Sequence, residues 1–505
     1  AGVCWLRYHG RSCTSATLLS RKDQSAMDET HQPLPEARQP LIQRTLAEWK
    51  TLAILGGPIL IAQVAQMANG VIDTVMAGHA SAEDLAAVGI GSSLWMPLFL
   101  FFMGMLGALQ PIISGYNGAR TTHKIMPATW QGIYIAAAGT VVMALLLTNV
   151  HPVLALLKLD PHTAGITQGY LDAFAWGIPA LLLINALRGL TDGLGHTRVI
   201  MAFSVLSTLI NLPLNYIFIY GKLGLPAMGG IGCGWATSIS NGVAAIAMLI
   251  YLNRSETFRQ FHLIADWVKP DWAGIRYILR IGVPIGFTIF VEASMFAVIA
   301  LFLAPLGPVV VAGHQIALNV VSLLFMLPLS IGMALTLRVS FLVGARAPDS
   351  ARLISRSSLI LASAIALLFA TLLFVFSGAI ASLYSGDAEV QAVTIRLLTF
   401  AAMFQIADVI QVTCISALRG YKDTRIPMFI MLFSFWGVGL PLGYVLTFTD
   451  WVWPALGAAG FWVGLTAGLT SASLLLGWRL FHYQPSTPVD EDTQPAAVGT
   501  GSGMG

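Results

Sequence analysis

From Thr51 onward the chain is a succession of apolar runs of roughly 20 residues, the length of helix that crosses about 30 Å of hydrocarbon. Lipid offers no partner to a backbone N–H or C=O, so runs of this length have one stable outcome, a bundle of transmembrane helices. Twelve runs can be counted, at 51–76, 86–113, 128–148, 166–186, 199–220, 231–252, 277–304, 309–336, 357–382, 396–417, 426–448 and 455–480. Composition agrees: 56% of residues are hydrophobic and 10% charged, where a soluble domain carries roughly a quarter charged residues. The expected fold class is an all-α integral membrane protein with twelve transmembrane helices.

The loops set the orientation, because Lys and Arg are retained on the cytoplasmic side. Loops after even-numbered runs hold most of the basic residues, among them Arg120, Lys124, Arg188, Arg338, Arg346 and Arg419, against Lys158, Lys222 and Arg396 on the other side. Both termini are therefore expected in the cytoplasm. The net charge of +3 is too small and too scattered for a nucleic-acid partner. Cys4 and Cys13 lie in a polar N-terminal stretch, while Cys233 and Cys414 sit far apart in apolar segments, so neither a disulfide framework nor a metal motif follows. Residues 1–45 read as a polar extension whose natural start is expected at Met27, since 1–26 lacks both an initiating Met and a signal-peptide core. Residues 483–505, with Asp490, Glu491 and Asp492, read as a solvated, disordered tail.

The chain also repeats itself, at a nearly constant displacement of a little under half its length. Pro58 answers to Pro284, Gly118-Ala119-Arg120 to Gly344-Ala345-Arg346, Ala186-Leu187-Arg188-Gly189 to Ala417-Leu418-Arg419-Gly420, and Leu212-Pro213-Leu214 to Leu440-Pro441-Leu442. Six helices per half is an even number, so two six-helix bundles insert in the same direction, related by a pseudo-twofold axis along the membrane normal. The expected division is an N-lobe at 46–253, a cytoplasmic linker at 254–276 and a C-lobe at 277–482. Two bundles with a cleft between them are the usual hardware of alternating access, although a static channel or scaffold could share it.

Three acids stand inside apolar runs: Asp73, Glu292 and Asp408. A charged side chain at the bilayer centre costs at least about 2.5–3.5 kcal/mol, so such residues face a cavity or a partner. None has a Lys or Arg within one helical turn, which leaves a proton, a metal cation, a cationic substrate or a group remote in sequence. For Asp73, near the end of its run, wetting by headgroup water is the alternative. The acids are not duplicated, since Glu292 answers to Gln66 and Asp408 to Gly177. Asn211 and Asn215, four apart, share a helix face and can offer amide oxygens to a cation or bond neighbouring helices. Gln315 and Asn319 pose the same choice, and His314 beside them reads as structural before it reads as titrating. Asp192 reads as part of a short cytoplasmic loop, as an ion pair with Arg188 or Arg198 or as a further cation ligand.

Five segments taken together carry a family likeness: Val71-Ile72-Asp73-Thr74-Val75-Met76-Ala77-Gly78, Ala186-Leu187-Arg188-Gly189, Asn211-Leu212-Pro213-Leu214-Asn215, Ala312-Gly313-His314-Gln315-Ile316-Ala317-Leu318-Asn319 and Ser416-Ala417-Leu418-Arg419-Gly420-Tyr421-Lys422-Asp423. In this order and spacing the chain resembles the multidrug and toxic compound extrusion family, in its NorM-like bacterial branch, from about Leu46 to Phe481. The resemblance implies a two-lobed antiporter of the bacterial inner membrane, not an enzyme and without a cofactor, that exports cationic amphipathic drugs and dyes in exchange for Na⁺ or H⁺. It places the family's coupling carboxylates on Asp73, Glu292 and Asp408, its polar N-lobe cluster on Asn211 and Asn215, and a further acidic position on Asp192. The expected partners are small cationic substrates and the bilayer, with the chain acting as a monomer. The rival reading, a lipid-linked precursor flippase, needs a cationic cavity for pyrophosphate, and the midmembrane charges here are negative. An integral membrane transferase needs an acidic metal motif or a nucleotide-sugar domain, and neither is present.

Overall fold

The computed structural model describes residues 40–156, 159–261, 263, 267–451 and 454–483, among which there is no strand. In chain order the helices are α1 (Leu41–Ala80), α2 (Ala82–Leu106), α3 (Leu109–Gly118), α4 (Ile125–Thr148), α5 (His151–Leu156), α6 (Pro161–Ala175), α7 (Ile178–Gly193), α8 (Thr197–Tyr220), α9 (Gly230–Arg254) and α10 (Glu256–Arg259) in the first half. The second half has α11 (Trp272–Leu303), α12 (Pro308–Gly344), α13 (Pro348–Tyr384), α14 (Ala388–Gly420), α15 (Arg425–Leu432), α16 (Leu440–Phe448) and α17 (Ala458–His482). Among the described residues eleven helical spans are long and apolar enough to cross a membrane, and α6 with α7, bent by 46°, make a twelfth. The expected extension up to residue 39 and the tail from residue 484 lie outside the described residues.

Several helices overrun the apolar runs that predict them. α1 begins at Leu41 rather than at Thr51, and α12 continues to Gly344 rather than ending at Thr336. The reason is that hydropathy marks only the hydrocarbon-spanning part, while a helix continues wherever its polar residues find partners. Turn residues set the ends: Ser81 Oγ accepts from the Asp84 amide at 2.9 Å, and Asp160, Asp271 and Asp387 cap α6, α11 and α14 in the same way. At the basic face α3, α12 and α14 close with Arg120, Arg346 and Lys422 at φ 59°, 56° and 62°. The amides of Thr121, Ala347 and Asp423 there bond back to the carbonyls of Tyr116, Leu342 and Leu418, the pattern of a Schellman cap.

Two buried cores follow the duplication, one drawn chiefly from residues 77–285 and the other from 291–480. They exchange a helix end. Leu52 and Leu55 of α1 belong to the second core, while Ile278 and Ile281, their counterparts in the repeat, belong to the first. Accordingly α1 packs on α12 and α11 packs on α2, with α3 crossing α12 between them. A β-carbon on Gly118 would stand 2.9 Å from the Phe341 carbonyl carbon and 3.1 Å from the Ala345 nitrogen; one on Gly344 would stand 2.9 Å from the Gly115 carbonyl carbon and 3.0 Å from the Ala119 nitrogen. These are the same contacts with the two halves exchanged, as a twofold axis through the crossing requires. Only glycine fits there. The seam between the halves is thus closed at the basic face, backbone on backbone. The outer surface is apolar, with Leu367, Phe374 and Leu145 among many exposed large side chains, as lipid contact demands.

Candidate functional site

Asp73 lies on α1 beyond the seam and is 8% exposed. Its carboxylate accepts from Asn215 Nδ2 at 2.6 Å and from Thr237 Oγ1 at 3.1 Å. Asn215 Nδ2 also donates to Asn211 Oδ1 at 2.9 Å, and Asn211 Nδ2 donates to Thr237 Oγ1 at 3.1 Å. Asp73, Asn215, Asn211 and Thr237 therefore close a ring of hydrogen bonds joining α1, α8 and α9. Of the two readings of the asparagine pair, the interhelical one is what these bonds show, the amides joining α8 to α1 and α9 by gripping the acid. The ring stays inside the protein rather than at a wetted helix end. One acceptor is left over, because Asn215 Oδ1 is buried with no partner. Cys233 Sγ lies 3.7 Å from the Asp73 carbonyl, and Tyr170, which accepts from Trp95 Nε1 at 3.1 Å, stands within electrostatic reach of the carboxylate.

The acids of the second half are arranged differently. Asp408 on α14 is 3% exposed and Glu292 on α11 is half-buried. Neither carboxylate takes a hydrogen bond among the described residues, and each lies within the other's electrostatic reach. Arg419, further along α14 from Asp408, is also within reach of Glu292 without touching it, so the cation remote in sequence does exist. Gln315 and Asn319 are both exposed, and neither joins an acid. His314 is buried, accepts from Trp462 Nε1 at 3.3 Å, and has Nε2 without a partner. Gln405, one turn from Asp408, is fully buried with both amide atoms unpaired. Among the described residues no three His, Cys, Asp or Glu side chains converge as a metal cluster. The first half offers instead one carboxylate among neutral polar groups, and the second a pair of carboxylates within electrostatic reach.

Asp192 does not lie in a loop. It is fully buried within α7, where Arg188 Nε donates to it at 3.0 Å and Gln110 Nε2 at 3.0 Å. The chain turns only at Gly195, the counterpart of Lys422. Lys422 follows Arg419 by less than one turn of helix, whereas Gly195 follows Arg188 by about two, so the first half carries about one extra helical turn before its bend. Asp192 is separate from the Asp73 ring and reaches the seam instead, because Arg188 also bonds Gln63 Oε1 at 3.2 Å and Met333 Sδ at 3.7 Å.

Arg338 is likewise no loop residue. It is 1% exposed inside α12 and grips Glu48 of α1, Nε to Oε2 at 2.7 Å and Nη2 to Oε1 at 2.8 Å. The duplication gives Gly274 and Ile112 at the equivalent positions, so this ionic clasp is on one side of the twofold only. Sequence reasoning missed Thr237, Tyr170 and Glu48. A threonine in an apolar helix carries no signal, and Glu48 precedes the first apolar run.

The MatE family model matches residues 58–217 and again 284–445, one match to each half, each starting at a proline of the repeat. The chain is 45% identical over 435 residues to the probable multidrug resistance protein NorM of Shewanella oneidensis, covering 86% of this chain and 95% of that one. It is 41% identical over 440 residues to the multidrug resistance protein MdtK of Edwardsiella ictaluri, covering 87% and 96%. Its fold is similar to that of the eukaryotic MATE transporter AtDTX14, with a TM-score of 0.79 at 21% identity over 87% of this chain and 97% of that one. The Vibrio cholerae MATE transporter VcmN in its bent form gives 0.77 at 19% identity over 87% and 97%.

Proposed function

This chain belongs to the MatE family, and on that premise we propose that it is a multidrug efflux antiporter, exporting cationic amphipathic compounds in exchange for Na⁺ or H⁺. It is a multi-pass membrane transporter, not an enzyme, and needs no cofactor. The basic face is the cytoplasmic one by the retention of Lys and Arg, with both termini on that side of a bacterial inner membrane. The closed seam is then the state sealed toward the cytoplasm, and the chain works as a monomer whose lobes, 46–253 and 277–482, rock about that seam across the linker 254–276.

The observation that carries this reading is the ring on Asp73: a buried carboxylate held by neutral donors, with one buried acceptor to spare. A charged acid in an oily interior is costly, and an arriving cation offsets that cost. A proton on Asp73 needs an acceptor of its own, and a half-turn of the Asn215 amide supplies Oδ1 at the place of Nδ2, with the Asn211 amide turning in step so that its Nδ2 faces that oxygen. Na⁺ takes carboxylate, amide and hydroxyl oxygens, the atoms the ring presents. Glu292 and Asp408 form the second coupling site, with Arg419 balancing their charge. Asp192 holds Arg188 against the seam. Coupling requires only that cation and drug differ in affinity between the two states.

Ethidium efflux in inverted vesicles, driven first by an imposed Na⁺ gradient and then by an imposed pH gradient, tests the proposal. Efflux under one gradient and its loss on collapsing that gradient are expected. Dye movement indifferent to both gradients would leave a passive pathway in its place.

A further inference from the structure

We propose that a cavity of about 790 Å³ at the basic face, between the first turns of α1 and α13 and the last turn of α17, binds the phosphate headgroup of an anionic phospholipid. Arg44, Arg352 and Arg356 line it, against one carboxylate, Asp349. That acid is 90% exposed and 3.6 Å from Arg352, a surface pair that neutralises little. The other titratable groups on its wall are His482 and the phenols Tyr421 and Tyr483. Arg44 donates to Ser350 Oγ at 3.3 Å through Nη2, yet its Nε is buried with no partner. Arg356 rests over the Phe481 ring at 5.6 Å. Guanidinium groups suit phosphate oxygens, which they bind in pairs. The N-terminus of α13, a helix of 37 residues, opens into the same space and favours an anion.

A lipid, rather than free phosphate, follows from what continues below the arginines. Arg352, Arg356, Ile360, Leu367 and Phe374 recur at helical spacing on one face of α13, and the last three are 66%, 64% and 64% exposed. Charge at the headgroup level therefore passes into an apolar stripe along which an acyl chain can lie. Trp478, 64% exposed on α17 beside the cavity, has the position of an interfacial anchor. Basic pockets between helices on such a face are the usual receptors for anionic headgroups. The site has no counterpart across the duplication, because Met126 and Trp130 stand where Arg352 and Arg356 would be repeated. A headgroup shared by Arg44 and the two α13 arginines would fasten the start of α1 to the second half. The inference rests on the membrane-spanning fold and is independent of which cation drives transport.

Native mass spectrometry of the full chain, offered phosphatidylglycerol or phosphatidylcholine with identical acyl chains, tests it. One phosphatidylglycerol should be retained at least about tenfold more readily than phosphatidylcholine. Arg352→Gln with Arg356→Gln should remove that preference, Arg254→Gln should leave it, and both α13 arginines changed to Lys should keep most of it. In the unaltered protein phosphatidylglycerol should also shield Arg352 and Arg356 from phenylglyoxal, a readout that needs no variant to fold. Equal retention of the two lipids, or no shielding, overturns the proposal. So does displacement of phosphatidylglycerol by inorganic phosphate at equal concentration, which would make this a free-phosphate site. Retention only after Asp490→Asn, Glu491→Gln and Asp492→Asn would make the acidic tail the occupant and equally overturn it.

Discussion

Gly118→Ala and Gly344→Ala should loosen the seam at the basic face, and to the same degree. Each added methyl would meet the opposing carbonyl, its oxygen first and its carbon at 2.9 Å, where carbon atoms rest at about 3.5–4.0 Å, so α3 and α12 must part by more than about 0.6 Å. The obstacle is backbone on both sides, with no rotamer to yield, which puts the penalty at the upper end of the usual 1–3 kcal/mol, about 3 kcal/mol, for overpacking. That loss of about 3 kcal/mol bears on the closed state alone, the helices being intact in both, and lowers the closed-to-open ratio on the order of 150-fold. Ser114 is 1% exposed and donates across the seam to the Leu337 carbonyl at 2.7 Å, so Ser114→Cys reports opening. In a background without the four native cysteines, its labelling by an impermeant maleimide from the basic face should quicken by about that factor. Unchanged rates in both alanine variants would refute the backbone crossing. A large change in one and none in the other would refute its twofold reciprocity.

Glu48→Gln removes the charge facing Arg338 and turns one of its two acceptors into a donor, and should cost about 3–5 kcal/mol, while Glu48→Met with Arg338→Met should restore most of it. Melting in detergent reads both, and equal losses in the single and double variants would mean the pair is not coupled. Asp73→Asn preserves the size of the ring without its charge, so ethidium efflux should stop while the protein melts normally. Continued gradient-driven efflux would remove Asp73 from the mechanism. Glu292→Gln and Asp408→Asn should each abolish transport in vesicles with expression intact, and flux equal to the unaltered protein in both would exclude the second site.

The membrane spans, the duplication and the acids were open to reading from the chain alone, because lipid punishes every unpaired polar group locally. An apolar run, an asparagine pair four residues apart and an acid among leucines are signals written within one or two helical turns. Partnership between helices was not open in that way. Thr237 stands 164 residues from the acid it bonds and Arg338 stands 290 residues from Glu48, and nothing in their own neighbourhoods distinguishes them from other polar residues of a helix. Hydropathy also misplaced Asp192 and Arg338 in loops, since a polar residue lowers the local average whether it meets water or a buried counter-charge. Which of the two it meets depends on packing between distant segments, and that only the folded bundle decides.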